Sequence, residues 1–166
     1  MANSNSAGNR ILFANHSGSG STKMIGSVIV ERLKHISDID TVQIKSGFDY
    51  KLIPDYDLVI LGFPTYYFGP SLSAMEFVEN LPDLNGKSFF LYTTYGLYNG
   101  NCIRIISDAL KKKNGRIAGF AQIRGPASDG ILLFPSLKLF SRYERKAGKK
   151  IDKAIDAIEK YLQTGE

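Results

Sequence analysis

Residues 10–26 read RILFANHSGSGSTKMIG and contain three successive patterns. Residues 10–14 are apolar after Arg10 and show no helical spacing, which is typical of a buried strand in an α/β domain. Six small residues follow, and a helical pattern of apolar residues then begins at Met24. The first amides of a helix have no partner inside the helix, and the helix dipole adds positive potential there. The three patterns together predict an anion site between a strand and a helix.

The six small residues favour phosphate as the anion. Glycine lets the backbone approach closely, and hydroxyl groups donate hydrogen bonds to phosphate oxygens. The alternative is a Ser/Gly turn in which Ser21 or Thr22 caps the helix. A Walker loop does not fit because no Gly-Lys-Ser/Thr ending is present, and Lys23 stands where a dinucleotide fingerprint has its third glycine. The candidate ligands, called the phosphate loop below, are Ser17, Gly18, Ser19, Gly20, Ser21 and Thr22.

Composition limits the class of protein. The 166 residues are 43% hydrophobic and 22% charged, which is typical of one globular domain. We expect the polar residues 1–9 to be a disordered extension and residues 10–166 to form a single domain. The single cysteine, Cys102, excludes an intrachain disulfide and a cysteine-held iron–sulfur cluster. We expect a cytoplasmic protein without a membrane span.

Charge is distributed unevenly along the chain. Residues 1–83 carry six basic and nine acidic side chains, a net charge of −3, whereas residues 84–166 carry fifteen and seven, a net charge of +8. The basic residues concentrate at 111–113 and between 138 and 153. An acidic partner protein, an anionic membrane surface or an anionic substrate would each suit such a patch, and solvated helix faces are the alternative. Nucleic acid is not expected as a partner, because no nucleic-acid-binding motif accompanies the charge.

Strand and helix patterns alternate along the chain. Strands are predicted at 10–14, 41–44, 56–62, 88–93 and 116–124, and helices at 22–35, 71–81, 101–113 and 143–163. The second helix should bury Leu72, Met75, Val78 and Leu81. This alternation predicts right-handed crossovers and a parallel sheet with helices on both faces. Ligands of such sheets bind beyond the carboxyl ends of the strands, which directs attention to residues 17–22, 63–69 and 93–101.

The second and third of these segments, called the second loop (63–69) and the third loop (93–101), are rich in aromatic residues and glycine. Residues 62–70 read GFPTYYFGP and residues 93–101 read TTYGLYNGN. Aromatic side chains at the edge of a sheet can sandwich a flat conjugated ring. Glycine-rich backbone suits hydrogen bonding to the polar edge of such a ring. A phosphate at one end and a polar heteroaromatic ring at the other indicate FMN.

These segments resemble the flavin loops of flavodoxin-like proteins. The phosphate loop is similar to the family's Ser/Thr-x-Thr-Gly-x-Thr pattern, with Ser19 for the middle threonine and Ser21 for a frequent asparagine. Residues 62–66 resemble the second flavin loop and residues 88–100 the third. The resemblance covers residues 10–124. It is greatest to flavodoxin domains that are fused to ferredoxin modules in some relatives, and residues 95–101 and 123–126 carry this closer similarity. The cysteine-rich ferredoxin part of those fusions is absent from this sequence. The resemblance implies that residues 10–166 form a single flavodoxin-like FMN-binding domain. The implied fold is an α/β, flavodoxin-like three-layer sandwich whose five-stranded parallel sheet has the order 2-1-3-4-5.

The resemblance also implies which residues hold FMN. Tyr66, Tyr67 and Tyr95 are expected to flank the ring, with Gly96 and several other third-loop residues near its pyrimidine side. No catalytic residue and no metal site are expected. Beyond the phosphate loop, the expected FMN-binding residues are Pro64, Thr65, Tyr66, Tyr67, Phe68, Gly69, Thr93, Thr94, Tyr95, Gly96, Tyr98, Asn99 and Gly100.

The implied function is a flavodoxin-type carrier that passes low-potential electrons between redox proteins. Acidic proteins, such as ferredoxin-type donors or acceptors, are candidate partners. The alternatives are an FMN-dependent NAD(P)H:quinone-type oxidoreductase and a flavin-free interaction domain. Two features depart from the family: the second half is basic where flavodoxins are acidic, and residues 125–142 are more apolar than a solvated connection. That apolar segment is either a lid or docking surface at the flavin, or a short helix packed into the core.

Overall fold

The computed structural model describes residues 9–44, 48–126 and 142–165, in which strands and helices alternate. A helix follows the last strand, and a short 3₁₀ helix, Tyr50–Asp55, precedes the third strand. The strands are β1 (Asn9–Asn15), β2 (Ser37–Gln43), β3 (Leu58–Tyr66), β4 (Gly69–Pro70), β5 (Ser88–Tyr95) and β6 (Arg116–Arg124). The helices are α1 (Ser21–Leu33), α2 (Leu72–Glu79), α3 (Cys102–Lys111) and α4 (Ala147–Thr164).

The sheet has the order β2-β1-β3-β5-β6, and all of these neighbours pair in parallel. The predicted order 2-1-3-4-5 is therefore confirmed, with β5 and β6 as its fourth and fifth strands. One addition was not predicted: β4 pairs antiparallel with the end of β3 and makes a short hairpin. The central strands β1, β3 and β5 put their carboxyl ends side by side, which is where the site is built.

Helices cover both faces of the sheet and give a three-layer arrangement. The alternation of side chains along β3 explains this, because Val59 and Leu61 face one layer while Leu58 and Ile60 face the other. The first core contains residues of α2 and α3, including Phe77 and Ile106. The second core contains residues of α1 and α4, including Ile29, Ile155 and Ile158. Strands buried on both faces read as continuous apolar runs, as β1 and β3 do.

Several strand boundaries differ from the prediction. Strand β2 begins at Ser37 rather than at residue 41, because this edge strand has one neighbour and tolerates polar residues on its open side. Strand β3 begins at Leu58 and continues to Tyr66, so residues 63–66 of the second loop are strand residues paired with β5 or β4. Strand β5 likewise extends to Tyr95. Strand β6, Arg116–Arg124, has the predicted bounds.

The helices also differ at their ends. Helix α1 begins at Ser21 and ends at Leu33, and α4 begins at Ala147 rather than at residue 143. Helix α2 is shorter than predicted and buries Ala74, Phe77 and Val78. The expectation that Leu72 is buried was wrong, since its side chain is 80% exposed. No helix within the described ranges is long and apolar enough to cross a bilayer.

Two sequence predictions fall mainly outside the described ranges. Asn9 begins β1, and the remainder of the expected extension, residues 1–8, is not among the described residues. The same holds for residues 127–141, which make up most of the apolar segment.

Candidate functional site

A cavity of about 450 Å³ lies at the carboxyl ends of β1, β3 and β5. The phosphate, second and third loops converge there because their parent strands are neighbours in register, as the pairs Asn15 with Gly62 and Pro64 with Thr94 show. Its volume is in the range of small-molecule sites, roughly 300–1,000 Å³. The described residues that line it include no charged side chain.

The phosphate loop leaves a row of backbone donors without protein partners. Gly20 has a φ of 92° and turns the chain into α1, and the Met24 amide donates to its carbonyl at 2.9 Å. The Ser17 hydroxyl accepts from the Lys23 amide at 3.2 Å. Within the described part of the chain, the amides of residues 18–22 donate to no protein acceptor. Several amides thus meet at the positive end of a helix, which suits a dianion.

The alternative of a Ser/Gly turn in which Ser21 or Thr22 caps the helix does not describe this loop. The helix is capped from Ser17, not by Ser21 or Thr22, and the Gly20 cap makes no side-chain hydrogen bond. Residues 18–20 are exposed, so the loop is not occluded by its own side chains.

Thr22 has a different position from the other loop hydroxyls. Its side chain is 1% exposed, and its hydroxyl shares a 2.7 Å hydrogen bond with the Thr94 hydroxyl. The Tyr92 hydroxyl donates to the Thr22 carbonyl at 3.3 Å, and burial raises the pKa of Tyr92, which keeps this donor protonated. The Thr22 side chain therefore ties the phosphate loop to the third loop, while its backbone amide remains at the start of the helix.

The second loop is a tight hairpin turn between β3 and β4. Tyr66 pairs with Gly69, and the two residues between them have positive φ: 48° for Tyr67 and 65° for Phe68. Such a turn favours asparagine or glycine, and an aromatic residue there costs about 1–2 kcal/mol. Tyr67 is also fully exposed, and Phe68 is 68% exposed. Strained, exposed aromatic residues beside a cavity are typical of a ligand-binding loop.

The third loop contacts the second directly. The rings of Phe68 and Tyr98 meet edge to face with centroids 5.6 Å apart. Gly100 has a φ of 57°, and a Cβ there would overlap the Phe68 carbonyl oxygen, so only glycine lets the two loops approach this closely. Asn99 donates to the Gln122 side chain at 2.9 Å, which fixes the loop to β6.

Polar side chains beneath the cavity bond to one another. The Thr65 hydroxyl lies 3.2 Å from both the Thr93 hydroxyl and the Cys102 thiol. Burial raises the pKa of Cys102, although the Thr65 contact opposes this. Cys102 is therefore a packed side chain rather than a reactive thiolate.

The segments around β6 and α4 close one side of the site. The Ser21 hydroxyl donates to the Pro126 carbonyl at 3.4 Å, and the Tyr143 hydroxyl donates to the Ser21 carbonyl at 3.0 Å. The Gly125 amide donates to the Tyr95 carbonyl at 3.0 Å. Both Pro126 and Leu97 line the cavity, and neither was among the expected site residues. Leu97 lies inside the predicted third loop, whereas only the long-range contacts identify Pro126.

Most of the expected ligands lie at the cavity. Those that line it are Ser19, Ser21, Pro64, Thr65, Tyr66, Tyr67, Phe68, Thr94, Tyr95, Gly96 and Tyr98. The others are neighbours of lining residues in the chain or contact the three loops without lining the cavity. They are Ser17, Gly18, Gly20, Thr22, Gly69, Thr93, Asn99 and Gly100. Tyr66 also reaches the phosphate loop, since a Cβ on Gly18 would overlap its hydroxyl. Over the described ranges, no group of three or more His, Cys, Asp or Glu side chains is placed to hold a metal.

Comparison with known proteins identifies the fold. No protein-family model matches the sequence, and no curated protein matches it either. Among solved structures, an archaeal flavodoxin superposes with a TM-score of 0.65 at 16% identity over 93% of this chain and 99% of its own. Megasphaera elsdenii flavodoxin gives 0.66 at 18% identity, over 87% and 97%. Rubredoxin oxygen:oxidoreductase from Desulfovibrio gigas gives 0.71 at 13% identity, over 93% of this chain and 36% of its own. The chain has the flavodoxin-like fold.

Proposed function

We propose that this chain binds FMN at the carboxyl edge of its sheet and carries low-potential electrons between redox proteins. One observation carries the proposal: unpartnered amides at the start of α1 share a cavity with exposed aromatic side chains of the second and third loops. The two ends of that cavity match the two ends of FMN in chemistry. The fold of the flavodoxins is consistent with this assignment.

The phosphate end fits a dianion. The amides of residues 18–22 would donate to its oxygens, together with the hydroxyls of Ser19 and Ser21 at the cavity wall. Hydrogen bonds to a charged group are worth about 1.5–3 kcal/mol each, so a few of them would supply much of the affinity. The Thr22 side chain would act indirectly, by holding the third loop against the phosphate loop.

The other end fits a flat ring with a polar edge. Tyr66, Tyr67 and Tyr95 supply aromatic surface, and the backbone around Gly96 supplies donors and acceptors. Bound FMN would supply the redox chemistry, and the protein would orient it and set its potential. Because the described residues that line the cavity include no cation, they would give added negative charge on the ring no ionic stabilisation, which favours a low potential.

The partners proposed are other redox proteins, with acidic proteins of the ferredoxin type as candidates because the second half of the chain is basic. The exposed rim formed by Tyr67, Phe68 and Tyr98 suits contact with a protein surface. An FMN-dependent NAD(P)H:quinone oxidoreductase is the alternative, and it would need hydride transfer from a nicotinamide at this rim.

Anaerobic mixing of the FMN-loaded protein with NADPH alone separates the two functions. A carrier keeps its visible flavin absorbance with NADPH and loses it when dithionite or a reduced ferredoxin is added. Rapid bleaching by NADPH alone would contradict the carrier function and favour the reductase. Failure of the apoprotein to bind FMN would overturn both.

A further inference from the structure

The four helices in the described ranges begin at the carboxyl edge of the sheet, and their first turns hold no acidic side chain. Helices α1, α2, α3 and α4 follow strands that end there, and none of them has an acidic residue in its first turn. The positive ends of four helix dipoles therefore point towards the same surface. Lys23 and Arg104 lie in the first turns of α1 and α3 and add positive charge.

Around the start of α4 the basic side chains form a cluster. Arg142, Arg145, Lys146 and Lys149 are all exposed, and we call them the basic face. Cations at a helix N-terminus oppose the helix dipole, which costs stability. Within the described ranges the nearest acid in sequence is Glu144, which is already engaged: it accepts from Lys150 Nζ at 2.7 Å and from the Arg124 amide at 2.8 Å. Among the described residues, no salt bridge pairs a member of the basic face with an acidic side chain.

The basic face adjoins the FMN cavity. Tyr143, between two of its members, donates to the Ser21 carbonyl, and the Glu144 amide donates to the Arg124 carbonyl at 3.0 Å. Gly125 and Pro126, which follow β6, contact the third loop and line the cavity respectively. The basic face and the aromatic rim of Tyr67, Phe68 and Tyr98 therefore lie on the same edge of the sheet, around the same opening.

We propose that the basic face and the aromatic rim together dock a carboxylate-rich electron-transfer protein over the cavity. This inference rests on the proposed FMN-carrier function and adds the surface and the charge of the partner. Exposed Arg and Lys side chains steer an acidic protein and set its orientation, and the aromatic rim supplies the apolar centre of the contact. The charge complementarity requires an acidic partner, and the position beside the cavity brings its redox group close to the flavin.

Direct binding measurements test this without depending on electron transfer. The probes are an acidic [2Fe–2S] ferredoxin, basic cytochrome c, and vesicles containing phosphatidylserine, each titrated against the apoprotein and the FMN-loaded protein at low and high salt. The test variant is Arg145→Gln with Lys146→Gln and Lys149→Gln. The matched control, Lys111→Gln with Lys112→Gln and Lys160→Gln, removes the same charge from exposed positions at the far ends of α3 and α4. FMN titration of each protein reports the cofactor site separately.

We expect the ferredoxin to bind the wild-type protein and to dissociate from it as the salt concentration rises. Its affinity for the test variant should be lower by about tenfold or more. The control variant should stay within about twofold of wild type, since its charges lie at the opposite edge. Equal losses in both variants, stronger binding of cytochrome c, or binding to the vesicles without binding to ferredoxin would overturn the docking surface. If the wild-type protein binds ferredoxin but does not bind FMN, the proposed cofactor is wrong and the docking surface is retained.

Discussion

The two edges of the sheet, at the amino and the carboxyl ends of its parallel strands, differ in how far their polar groups are hydrogen-bonded within the protein. At the amino edge polar groups are satisfied by one another: Lys87 Nζ donates to the carbonyls of Pro54 and Tyr56, and Lys113 Nζ donates to the Leu81 carbonyl at 2.5 Å. Asp83 accepts from the Asn114 side chain at 2.6 Å. At the carboxyl edge the amides of residues 18–22 lack protein acceptors among the described residues, and aromatic residues are exposed or strained.

This difference indicates where stability and binding reside. The amino edge has the features of a purely structural region. Its turns are closed by backbone hydrogen bonds, such as the one that the Gly86 amide donates to the Asn114 carbonyl. The carboxyl edge keeps features that cost free energy in the absence of a ligand. Substitutions at the carboxyl edge should therefore change FMN affinity, whereas substitutions at the amino edge should change stability and leave FMN affinity unaltered.

The largest effect is expected at the contact between the second and third loops. Gly100→Ala adds a Cβ against the Phe68 carbonyl at a φ of 57°, and we expect it to lower the free energy of unfolding by about 3 kcal/mol and FMN affinity by more than about tenfold. Chemical denaturation of the apoprotein and FMN titration measure the two effects.

A matched glycine at the amino edge provides the control. Gly86 has a φ of 85° and its Cβ would come no closer than 3.6 Å to the Arg116 side chain, so Gly86→Ala should cost about 1 kcal/mol of strain and leave FMN affinity unchanged. Similar losses of FMN affinity in both variants would mean that the two edges are not separable.

A smaller effect is expected where β6 meets α4. Burial acts to raise the pKa of Glu144, but hydrogen bonds from Lys150 and the Arg124 amide outweigh it and hold the pKa below its ordinary value of 4.5. The carboxylate therefore stabilises the fold at neutral pH, and this contribution is lost as the pH falls from about 4.5 through the lower folded-state pKa.

We expect Glu144→Gln to lower the free energy of unfolding by about 1–2 kcal/mol at pH 7, with the difference from wild type shrinking in acid. Denaturation midpoints across this pH range measure it, and Glu159→Gln, on α4, serves as the control. A difference that does not change with pH would show that the charge of Glu144 has no part in the contact.

The smallest effect is expected at the tip of the second loop and has the opposite sign. Tyr67→Asn replaces a fully exposed ring at a φ of 48° with a residue that tolerates this conformation, so stability should rise by up to about 1 kcal/mol while FMN affinity falls a few-fold. Tyr67→Phe, which keeps both the ring and the strain, should change neither quantity by much. A less stable Tyr67→Asn protein would show that the ring has structural contacts of its own.

The sequence predicts the parts of this fold that depend on local pattern. The strand and the helix within residues 9–33 are predicted correctly because apolar spacing determines them within one segment. The sheet order follows from the alternation of strands and helices and from the resemblance to flavodoxins. Strand β2 is less accurate, since Ser37 to Asp40 contain little of the apolar signal that marks a buried strand.

The remaining features depend on contacts between distant parts of the chain. Ser21 contacts Pro126 and Tyr143 across 105 and 122 residues, which no local pattern reveals. The burial of the Thr22 hydroxyl depends on Thr94, 72 residues away. The hairpin at Tyr67 and Phe68 was missed for another reason: its turn holds two aromatic residues where sequence rules expect asparagine or glycine.

The most direct test compares FMN with riboflavin, which lacks only the phosphate, by fluorescence titration of the apoprotein. If the amides of residues 18–22 bind the phosphate, FMN should bind on the order of 100-fold more tightly than riboflavin, since at least two charge-assisted hydrogen bonds are lost with it. Equal affinities would contradict the assignment of the phosphate loop, and no binding of either flavin would contradict the proposed cofactor.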